Sequence, residues 1–445
     1  MGDVGFDRTP RGLAAAEEKM RRAGVAEVAR DVFRAMYGQL LAPGGGVLPG
    51  DELEALSDVR ELDTMSADAS AAPLDRTAII KLNGGLGTSM GLSRPKSLIE
   101  VKRGYSFLDV IARQVLALRR RHHGRLPLVL MDSLSTQADT LRALGRYADL
   151  PSDVPLDFLQ NREPKLRADD LGPVEWPADP RLEWCPPGHG DLYAALAGSG
   201  MLDALLERGY EYAFVSNADN LGAVLEPRIL AVMAAETLPF VMEVVEGTEA
   251  DRKGGHVARK DGRVVLRETA QVPEGDESFT DFRRWRYYNT NNLWLHLPTL
   301  AQLGGVPSLP LIVNRKTVDP SDPSSPNILQ LESAMGSAIG ALEGAEVVCV
   351  PRTRFAPVKT TNDLLLVRSD AYLLREEDAY LEPASERIAT QPPVVDLDPR
   401  FYQRLEDFEA RFPAGPPSLA RAERLVVRGD VTFGSAPASR PSTQR

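Results

Sequence analysis

Short apolar runs of strand length alternate with helical stretches from Thr77 onward. The helical stretches include residues 107–121 and 199–209, where apolar residues recur at helical spacing. The strand-like runs are residues 77–82, 126–131, 157–160, 212–219 and 239–245. Strands that alternate with helices pair in parallel, because each helix carries the chain back across one face of the sheet. The pattern therefore predicts an α/β fold with a mostly parallel, Rossmann-like central sheet.

Four further regions flank or interrupt this pattern. Residues 1–75 predict an N-terminal segment, with one helix over residues 8–41 followed by a turn-rich linker. Residues 76–385 form the predicted α/β domain, and their polar, Gly- and Arg-rich part at 246–290 indicates a hairpin excursion. Residues 386–435 form a C-terminal segment, and residues 436–445 have the small, polar composition that is typical of a disordered tail.

The charge balance and the apolar pattern exclude some partners. The 445 residues include 52 Lys and Arg against 63 Asp and Glu, so the net charge is −11, which argues against a general nucleic-acid partner. No stretch of 18 apolar residues is present, so no membrane span is expected. The N-terminus lacks an apolar core and the two cysteines lie far apart. We therefore expect no signal peptide, no disulfide framework and a cytoplasmic location.

A Gly-rich loop follows the first strand of the α/β domain. Residues 82–91 have the sequence LNGGLGTSMG, and Lys96 follows after Pro95. Glycines let the backbone approach a ligand, so that its N–H groups can face phosphate oxygens. The segment fits neither the P-loop, which needs Gly before the lysine, nor the Rossmann GxGxxG motif. Because the chain has only nine lysines, we interpret it as a third kind of phosphate loop with a fixed cation, rather than a plain turn.

Two other segments place reactive side chains in turns or at strand ends. Residues 186–191, PPGHGD, set His189 between glycines, where it can donate to a phosphate or a hydroxyl. An apolar run ends in Asn217, Ala218 and Asp219. Ligands of open α/β sheets bind at the carboxyl ends of strands, and a carboxylate there suits Mg²⁺ held together with substrate phosphates. A surface turn and an Asx cap are the plain structural alternatives.

Amides and another lysine are concentrated in the second half of the chain. Asn289, Thr290 and Asn291 lie in a strand-like segment, and amides offer the paired donors and acceptors that suit sugar hydroxyls. Lys359, the last lysine of the chain, follows a proline in the segment RFAPVKTTND at 354–363. Polar residues of an exposed strand and a solvated surface lysine are the alternatives.

Together these segments resemble the eukaryotic-type UTP–glucose-1-phosphate uridylyltransferase (UDP-glucose pyrophosphorylase) family, over about residues 75–430. The matching stretches, in chain order, are KLNGGLGTSMG…PKS, FLQNREPKL, PPGHGDLY, SNADNLGA, MEVVEGTEADRKGG, NTNNLW, ILQLESAMGSAIGAL and RFAPVKTTNDLLLV. Related N-acetylhexosamine enzymes carry Ala before the paired glycines. Asn83 at that position therefore favours the glucose branch.

The resemblance implies a role for each matching residue. Lys96 and Lys359 would be catalytic, and Asp219 would bind Mg²⁺. Gln160 and Gly188 would contact the uracil ring. The implied nucleotide-binding residues are Leu82, Asn83, Gly84, Gly85, Lys96, Gln160, Gly188 and Lys359. The implied sugar-phosphate-binding residues are His189, Asn217, Ala218, Asp219, Glu243, Lys253, Asn289, Thr290 and Asn291.

The resemblance also implies a reaction and a fold. An oxygen of glucose 1-phosphate would attack the α-phosphorus of UTP with the help of Mg²⁺, giving UDP-glucose and pyrophosphate. The sheet would be that of nucleotide-diphospho-sugar transferases, which is GT-A-like. Similar family members usually end in a left-handed β-helix, of which residues 425–435 look like only the beginning. We therefore expect a truncated β-helix remnant and a monomer.

Other functions stay open at this stage. A pyrophosphorylase for galactose 1-phosphate or N-acetylglucosamine 1-phosphate, or one of broader specificity, has the same motifs. A catalytically silent UDP-sugar-binding protein should have lost Lys96, Asp219 or Lys359, yet all three are present. A dinucleotide-dependent oxidoreductase fits the α/β pattern but lacks the GxGxxG fingerprint. A structural role leaves both lysines and the Asn-rich strand unexplained.

Overall fold

The computed structural model describes residues 10–42, 46–66 and 68–434, and all structural statements concern these residues. The α-helices are α1 (Pro10–Arg22), α2 (Glu27–Leu41), α3 (Phe107–His122), α4 (Gln137–Leu144), α5 (Leu192–Gly198), α6 (Met201–Glu207), α7 (Pro227–Ala235), α8 (Leu297–Gln302), α9 (Thr361–Arg368), α10 (Glu386–Thr390), α11 (Pro399–Tyr402) and α12 (Leu405–Arg411).

The strands alternate with these helices over most of the chain. They are β1 (Arg60–Glu61), β2 (Thr77–Leu82), β3 (Glu100–Lys102), β4 (Tyr105–Ser106), β5 (Leu128–Asp132), β6 (Asp157–Leu159), β7 (Glu163–Pro164), β8 (Leu166–Arg167), β9 (Trp184–Cys185), β10 (Tyr212–Asn217), β11 (Phe240–Glu246), β12 (His256–Lys260), β13 (Arg263–Arg267), β14 (Tyr287–His296), β15 (Ile312–Thr317), β16 (Asn327–Glu332), β17 (Glu346–Cys349), β18 (Tyr372–Leu374), β19 (Leu381–Pro383), β20 (Val394–Leu397) and β21 (Arg424–Val427).

A large mixed sheet forms the centre of the molecule. Its strand order is β1-β17-β11-β14-β10-β2-β5-β6, and the hairpin of β12 and β13 joins it beside β14. Strand β14 is antiparallel to both β10 and β11, while the other neighbours along this order pair in parallel. The predicted α/β fold with a mostly parallel sheet is confirmed, and the polar stretch at 246–290 does contain a hairpin.

Alternating side chains of the central strands feed two hydrophobic cores. Ile79, Phe214 and Trp294 pack on one face, and the rings of Phe214 and Trp294 lie with their centroids 4.6 Å apart. Ile80 and Val215 point to the opposite face, with helices α5 and α6. Because both faces are covered, most residues of the central parallel strands are apolar, as in other buried parallel strands.

The prediction of one helix over residues 8–41 is wrong, because two helices lie there. Gly24 has a left-handed φ of 73°, and the N–H of Val25 donates to the carbonyl of Met20 at 3.1 Å. This is the hydrogen bond of a glycine-terminated helix end. The apolar spacing continues across the turn, so it did not reveal the break. Both helices share a small core with residues near β8 and β16.

The C-terminal segment packs onto the core beside the central sheet, through residues such as Leu397, Tyr402 and Val427. Strands β20 and β21 pair in parallel, with Val394 opposite Arg424. A single parallel pair does not show a β-helix, so that part of the expected fold is not confirmed. The predicted disordered tail lies outside the described residues. Among the described helices, none is long and apolar enough to cross a membrane.

Candidate active site

The carboxyl ends of four parallel strands meet at one edge of the sheet. Strands β2, β5, β6 and β10 end at Leu82, Asp132, Leu159 and Asn217, and these strand ends are neighbours in the sheet order. Each is followed by a segment that the sequence singled out, except for Asp132. Open α/β sheets bind ligands at such an edge, where loops diverge from adjacent strands.

Asp132 fastens the Gly-rich loop. Its Oδ1 accepts hydrogen bonds from Nδ2 of Asn83 at 2.7 Å and from the hydroxyls of Thr136 and Thr140. Burial raises the pKa of Asp132 to about 6, although these hydrogen bonds oppose the shift. The Asn83 side chain is thus occupied within the protein, and the loop after it is held in place for its backbone groups to contact a ligand.

At two positions of the site, neighbouring atoms lie so close to the backbone that only glycine fits. A Cβ on Gly84 would overlap the side-chain amide of Gln160. Gly188 has a left-handed φ of 78°, and a Cβ there would lie 2.6 Å from the carbonyl oxygen of Ser333. The Gln160 amide therefore lies directly against the Gly-rich loop, where a planar ring bound on the loop would meet it.

A cavity of about 300 Å³ collects the residues that were assigned to the nucleotide, apart from Lys359. An adjoining cavity of about 530 Å³ shares His189 and Asn217 with it. Of the predicted residues, the smaller cavity is lined by Leu82, Asn83, Gly84, Gly85, Lys96, Gln160, Gly188, His189, Asn217, Ala218 and Asp219. The larger cavity is lined by His189, Asn217, Lys253, Asn289, Thr290, Asn291 and Lys359.

Lys96 and Asp219 form an ion pair that joins the segment after the Gly-rich loop to the segment after β10. The Nζ of Lys96 lies 2.6 Å from Oδ2 of Asp219, and the Lys96 N–H donates to the carbonyl of Gly85 at 3.2 Å. The other carboxylate oxygen of Asp219, Oδ1, is buried and has no hydrogen-bond partner among the described residues. A lone buried carboxylate oxygen at this position suits a divalent cation that also binds phosphates.

His189 is held as a neutral ring between the two cavities. Its Nδ1 accepts the Met335 N–H at 3.0 Å, so the ring proton is on Nε2. Burial lowers the pKa of His189 to about 4. The ring therefore stays uncharged at neutral pH and can offer one N–H to an anion or a hydroxyl.

The Asn-rich segment forms a bulge in β14. The pairing of β11 with β14 shifts between Glu243 and Val244, opposite Asn292 and Asn289. Asn291 has a left-handed φ of 58°, which is uncommon for a residue with a side chain. The Nδ2 of Asn289 donates to Oδ1 of Asn291 at 2.9 Å, and the Asn291 N–H donates to Oδ1 of Asn289. The bulge turns both amides toward one cavity wall, as bulges beside binding sites do.

The structure does not bring Glu243 to either cavity. This residue is fully buried in β11, and its carboxylate accepts two hydrogen bonds from Arg354. It therefore lies behind the cavity wall and does not line either cavity. Lys359 also lies apart from most of its predicted group, since it lines the larger cavity and not the smaller one.

The family model for UTP–glucose-1-phosphate uridylyltransferase matches residues 31–438. The chain belongs to this family. Curated relatives in this uridylyltransferase family include a probable enzyme of Schizosaccharomyces pombe, 42% identical over 84% of this chain and 74% of its own length. The enzyme of Hordeum vulgare is 40% identical over 87% of this chain and 80% of its own length. The predicted family is confirmed.

Solved structures agree with this uridylyltransferase assignment. A mutant of Leishmania major UDP-glucose pyrophosphorylase in complex with UDP-glucose has a TM-score of 0.90 and 44% identity, over 96% of this chain and 93% of that one. A Trypanosoma brucei structure described as UDP-glucose phosphorylase has a TM-score of 0.86 and 41% identity, over 96% and 92%. The mixed α/β architecture is thus that of known nucleotide-sugar enzymes.

Glu268 lies at the candidate site but was not predicted from the sequence as a site residue. It lines the larger cavity together with Lys359. Burial raises the pKa of Glu268 to about 7, and the positive charge of Lys359 lowers it in part. A Cβ on Gly255 would lie 2.6 Å from the Glu268 carboxylate. The paired glycines at 254–255 were therefore the available signal, since they allow this close approach within the polar excursion.

Proposed function

We propose that the chain forms UDP-glucose and pyrophosphate from UTP and glucose 1-phosphate across the two adjoining cavities. The observation that carries this proposal is their shared wall. The smaller cavity has the Gly-rich loop, the larger one has the Asn-rich bulge, and both contain His189 and Asn217. A nucleotide in one cavity and a sugar phosphate in the other would meet at these two residues.

The nucleotide is assigned to the smaller cavity. Backbone groups of Leu82, Asn83, Gly84 and Gly85 line it, while Gln160 and Gly188 bind the uracil ring. Lys96 contacts the phosphates of UTP. The close approach of Gln160 to Gly84 supports this placement, because it sets an amide, with its paired donor and acceptor, beside the loop in the lining of the smaller cavity. A lysine suits the phosphates, since its ammonium is a flexible point charge.

The sugar phosphate is assigned to the larger cavity. The sugar hydroxyls contact Asn289, Thr290 and Asn291, with Lys253 nearby. The Nε2–H of His189 donates to the phosphate, which a neutral ring with its proton on Nε2 can do. Asn217, Ala218 and Asp219 border the reacting groups.

The reaction is a displacement at phosphorus. A phosphate oxygen of glucose 1-phosphate forms a bond to the α-phosphorus of UTP, and the bond from that phosphorus to the bridging oxygen breaks as pyrophosphate leaves. Both reactants are anions, so the protein has to position them and neutralise charge. Lys96 and Lys359 supply positive charge at the phosphates. No covalent intermediate is required.

A divalent cation fits beside Asp219. The partnerless Oδ1 of Asp219 would hold Mg²⁺, which binds through one or two carboxylates plus substrate phosphates. No group of three or more His, Cys, Asp or Glu side chains within the described residues could hold a metal ion. When bound, the cation neutralises phosphate oxygens.

Pyrophosphate release tests this function. Purified protein is incubated with UTP, Mg²⁺ and either glucose 1-phosphate, galactose 1-phosphate or N-acetylglucosamine 1-phosphate. We expect strong release with the glucose compound and weak release with the others. The variants K96A and K359A should each lower kcat by about 10²–10³-fold, because a charge opposite the transition state is lost, with an unchanged circular dichroism spectrum.

Three other outcomes would change the proposal. Equal rates on several sugars would make the chain a pyrophosphorylase of broad specificity. No release from folded protein would favour a silent UDP-sugar-binding protein. A near-normal rate in K359A would overturn the assigned role of that lysine. The cytoplasmic location, the monomeric state, the β-helix remnant and the domain boundaries at 75, 385 and 435 remain predictions.

A further inference from the structure

A buried carboxylate, that of Glu243, contacts both β14, which carries the Asn-rich bulge, and the segment that runs from Arg354 to Lys359. Glu243 has no exposed surface. Its oxygens accept hydrogen bonds from Nε and Nη2 of Arg354 at 2.9 and 2.6 Å. They also accept from Nδ2 of Asn292 and from Nε1 of Trp294, both at 3.0 Å. These four donors use the carboxylate fully, so its role has to be exerted through the groups it holds.

Two of these donors belong to β14, the strand that carries the Asn-rich bulge. Asn292 and Trp294 lie in β14, directly after the bulge of residues 289–291. The hydroxyl of Thr290 also donates to the backbone carbonyl of Glu243 at 2.7 Å. Glu243 therefore holds the bulge from behind, at the point where the strand register changes.

The remaining two donors belong to Arg354, in the segment that leads to Lys359. Arg354 is buried, and the three residues after it line the larger cavity on the way to Lys359. The buried side chain of Asn220 fixes the same segment, since its Nδ2 donates to the Arg354 carbonyl at 3.0 Å and its Oδ1 accepts the Ala356 N–H at 3.1 Å. A shift of Arg354 would therefore also move residues 355–357, which connect it to Lys359.

We propose that Glu243 is a positioning residue that fixes Lys359 relative to the sugar-binding bulge, through its buried pair with Arg354. The inference rests on the proposed function and deepens it. A guanidinium that donates two parallel hydrogen bonds to one carboxylate defines orientation as well as distance. Removal of one partner leaves a buried charge uncompensated, so the remaining groups rearrange.

The test compares E243Q with wild type in the UDP-glucose assay. A glutamine has nearly the same shape but replaces one accepting oxygen with a donating NH₂. In either orientation this NH₂ cannot accept from Arg354, and it also cannot accept from Trp294 or from Asn292, according to which oxygen it replaces. We expect kcat to fall about ten- to a hundredfold, because small misplacements of reacting groups carry that cost. KM for glucose 1-phosphate should rise, while KM for UTP stays within about twofold, since the smaller cavity is untouched.

Two further variants separate positioning from simple loss of stability. E183Q breaks the pair of Glu183 with Lys19, which spans 2.6 Å and lies outside both cavities. It should keep wild-type kinetic constants. R354K keeps the charge but loses the two-pronged donor, so it should reproduce the kcat loss and provides the test if E243Q does not fold. Rates are measured on folded protein, below the unfolding transition of each variant.

The outcomes distinguish this inference from the function on which it rests. Wild-type constants in E243Q or R354K would overturn the positioning role while the uridylyltransferase function stands. Equal losses for UTP and glucose 1-phosphate, in proportion to lost folded protein, would also overturn it and leave only a structural role. A folded wild type that forms no UDP-glucose would overturn both.

Discussion

Gly84 shows how one missing methyl group shapes the nucleotide cavity. A Cβ on Gly84 would overlap the Gln160 amide. G84A should therefore displace Gln160 from its position in the smaller cavity, where it is assigned to the uracil ring. We expect KM for UTP to rise about tenfold with little change in the free energy of unfolding, because the obstacle is the end of a flexible side chain. Initial rates over a range of UTP concentrations measure this.

A double-mutant cycle with Gln160 is the control for that prediction. If G84A acts only by displacing Gln160, it should add little to the effect of Q160A. Full additivity of the two changes would show that the methyl group obstructs the nucleotide itself.

His256 predicts a pH dependence of stability. It is fully buried, stacks on Trp285 with ring centroids 4.8 Å apart, and has no hydrogen-bond partner among the described residues. Burial lowers its pKa to about 3, and the charges of Arg267 and Arg284 add to the shift. The unfolded chain therefore takes up a proton below pH 6.5 that the folded chain refuses until about pH 3. This contribution destabilises the fold progressively as the pH falls.

The variant H256F removes that contribution and keeps a ring in the stack. The free energy of unfolding of H256F minus that of wild type should grow by about 2 kcal/mol between pH 8 and pH 5, which is the value of about 1.5 pKa units. Urea denaturation at several pH values measures the difference. A difference that does not change with pH would mean that His256 takes up its proton at the same pH in the folded protein and in the unfolded chain.

At the scale of elements, helix α9 fixes the residue next to Lys359, the lysine to which a catalytic role is assigned by the proposed function. Thr360 and Asp363 form a capping box at its start, and Oδ2 of Asp363 also accepts the Lys359 N–H at 2.9 Å. T360A should lower the free energy of unfolding by about 1 kcal/mol, the usual cost of a lost cap. It should also lower kcat about three- to tenfold, because the Lys359 backbone loses a fixed neighbour.

The matched control is S106A, which removes the capping-box serine of α3. It should cost a similar free energy of unfolding and leave kcat unchanged, since Ser106 does not line either cavity. If both variants lose activity equally, stability and not the placement of Lys359 would explain the loss. Thermal unfolding and steady-state rates on the same samples decide this.

Element types were largely predictable, and particular contacts were not. Apolar runs predicted β2, β10 and β11, because strands buried on both faces leave a continuous pattern. The break at Gly24 was hidden, since apolar spacing continued through it. The pairing of Glu243 with Arg354 could not be predicted from the sequence, because an acidic residue in an apolar strand gives no sign of which distant arginine pairs with it.

For the whole molecule, the predicted site segments came together because strand order follows from α/β topology. Residues 82–85, 160 and 217–219 lie at or after the carboxyl ends of β2, β6 and β10, which meet at one edge of the central sheet, whereas residues 188–189 follow β9 of a separate two-stranded sheet. The division into two cavities was not predictable. It depends on the antiparallel insertion of β14 and on its bulge, and a sequence pattern does not specify the register shift between neighbouring strands.

The two adjoining cavities predict how ligands stabilise the whole molecule. A ligand that binds only the folded state stabilises it according to its concentration relative to Kd, by about 2.7 kcal/mol at a hundredfold excess. In the proposed arrangement, UDP would occupy only the smaller cavity, whereas UDP-glucose would reach both. UDP-glucose should therefore raise the unfolding temperature more than UDP at equal concentration, as measured by scanning fluorimetry. In N289A the extra shift should shrink while the shift with UDP persists. Equal shifts for both ligands in wild type would mean that the larger cavity does not bind the glucose.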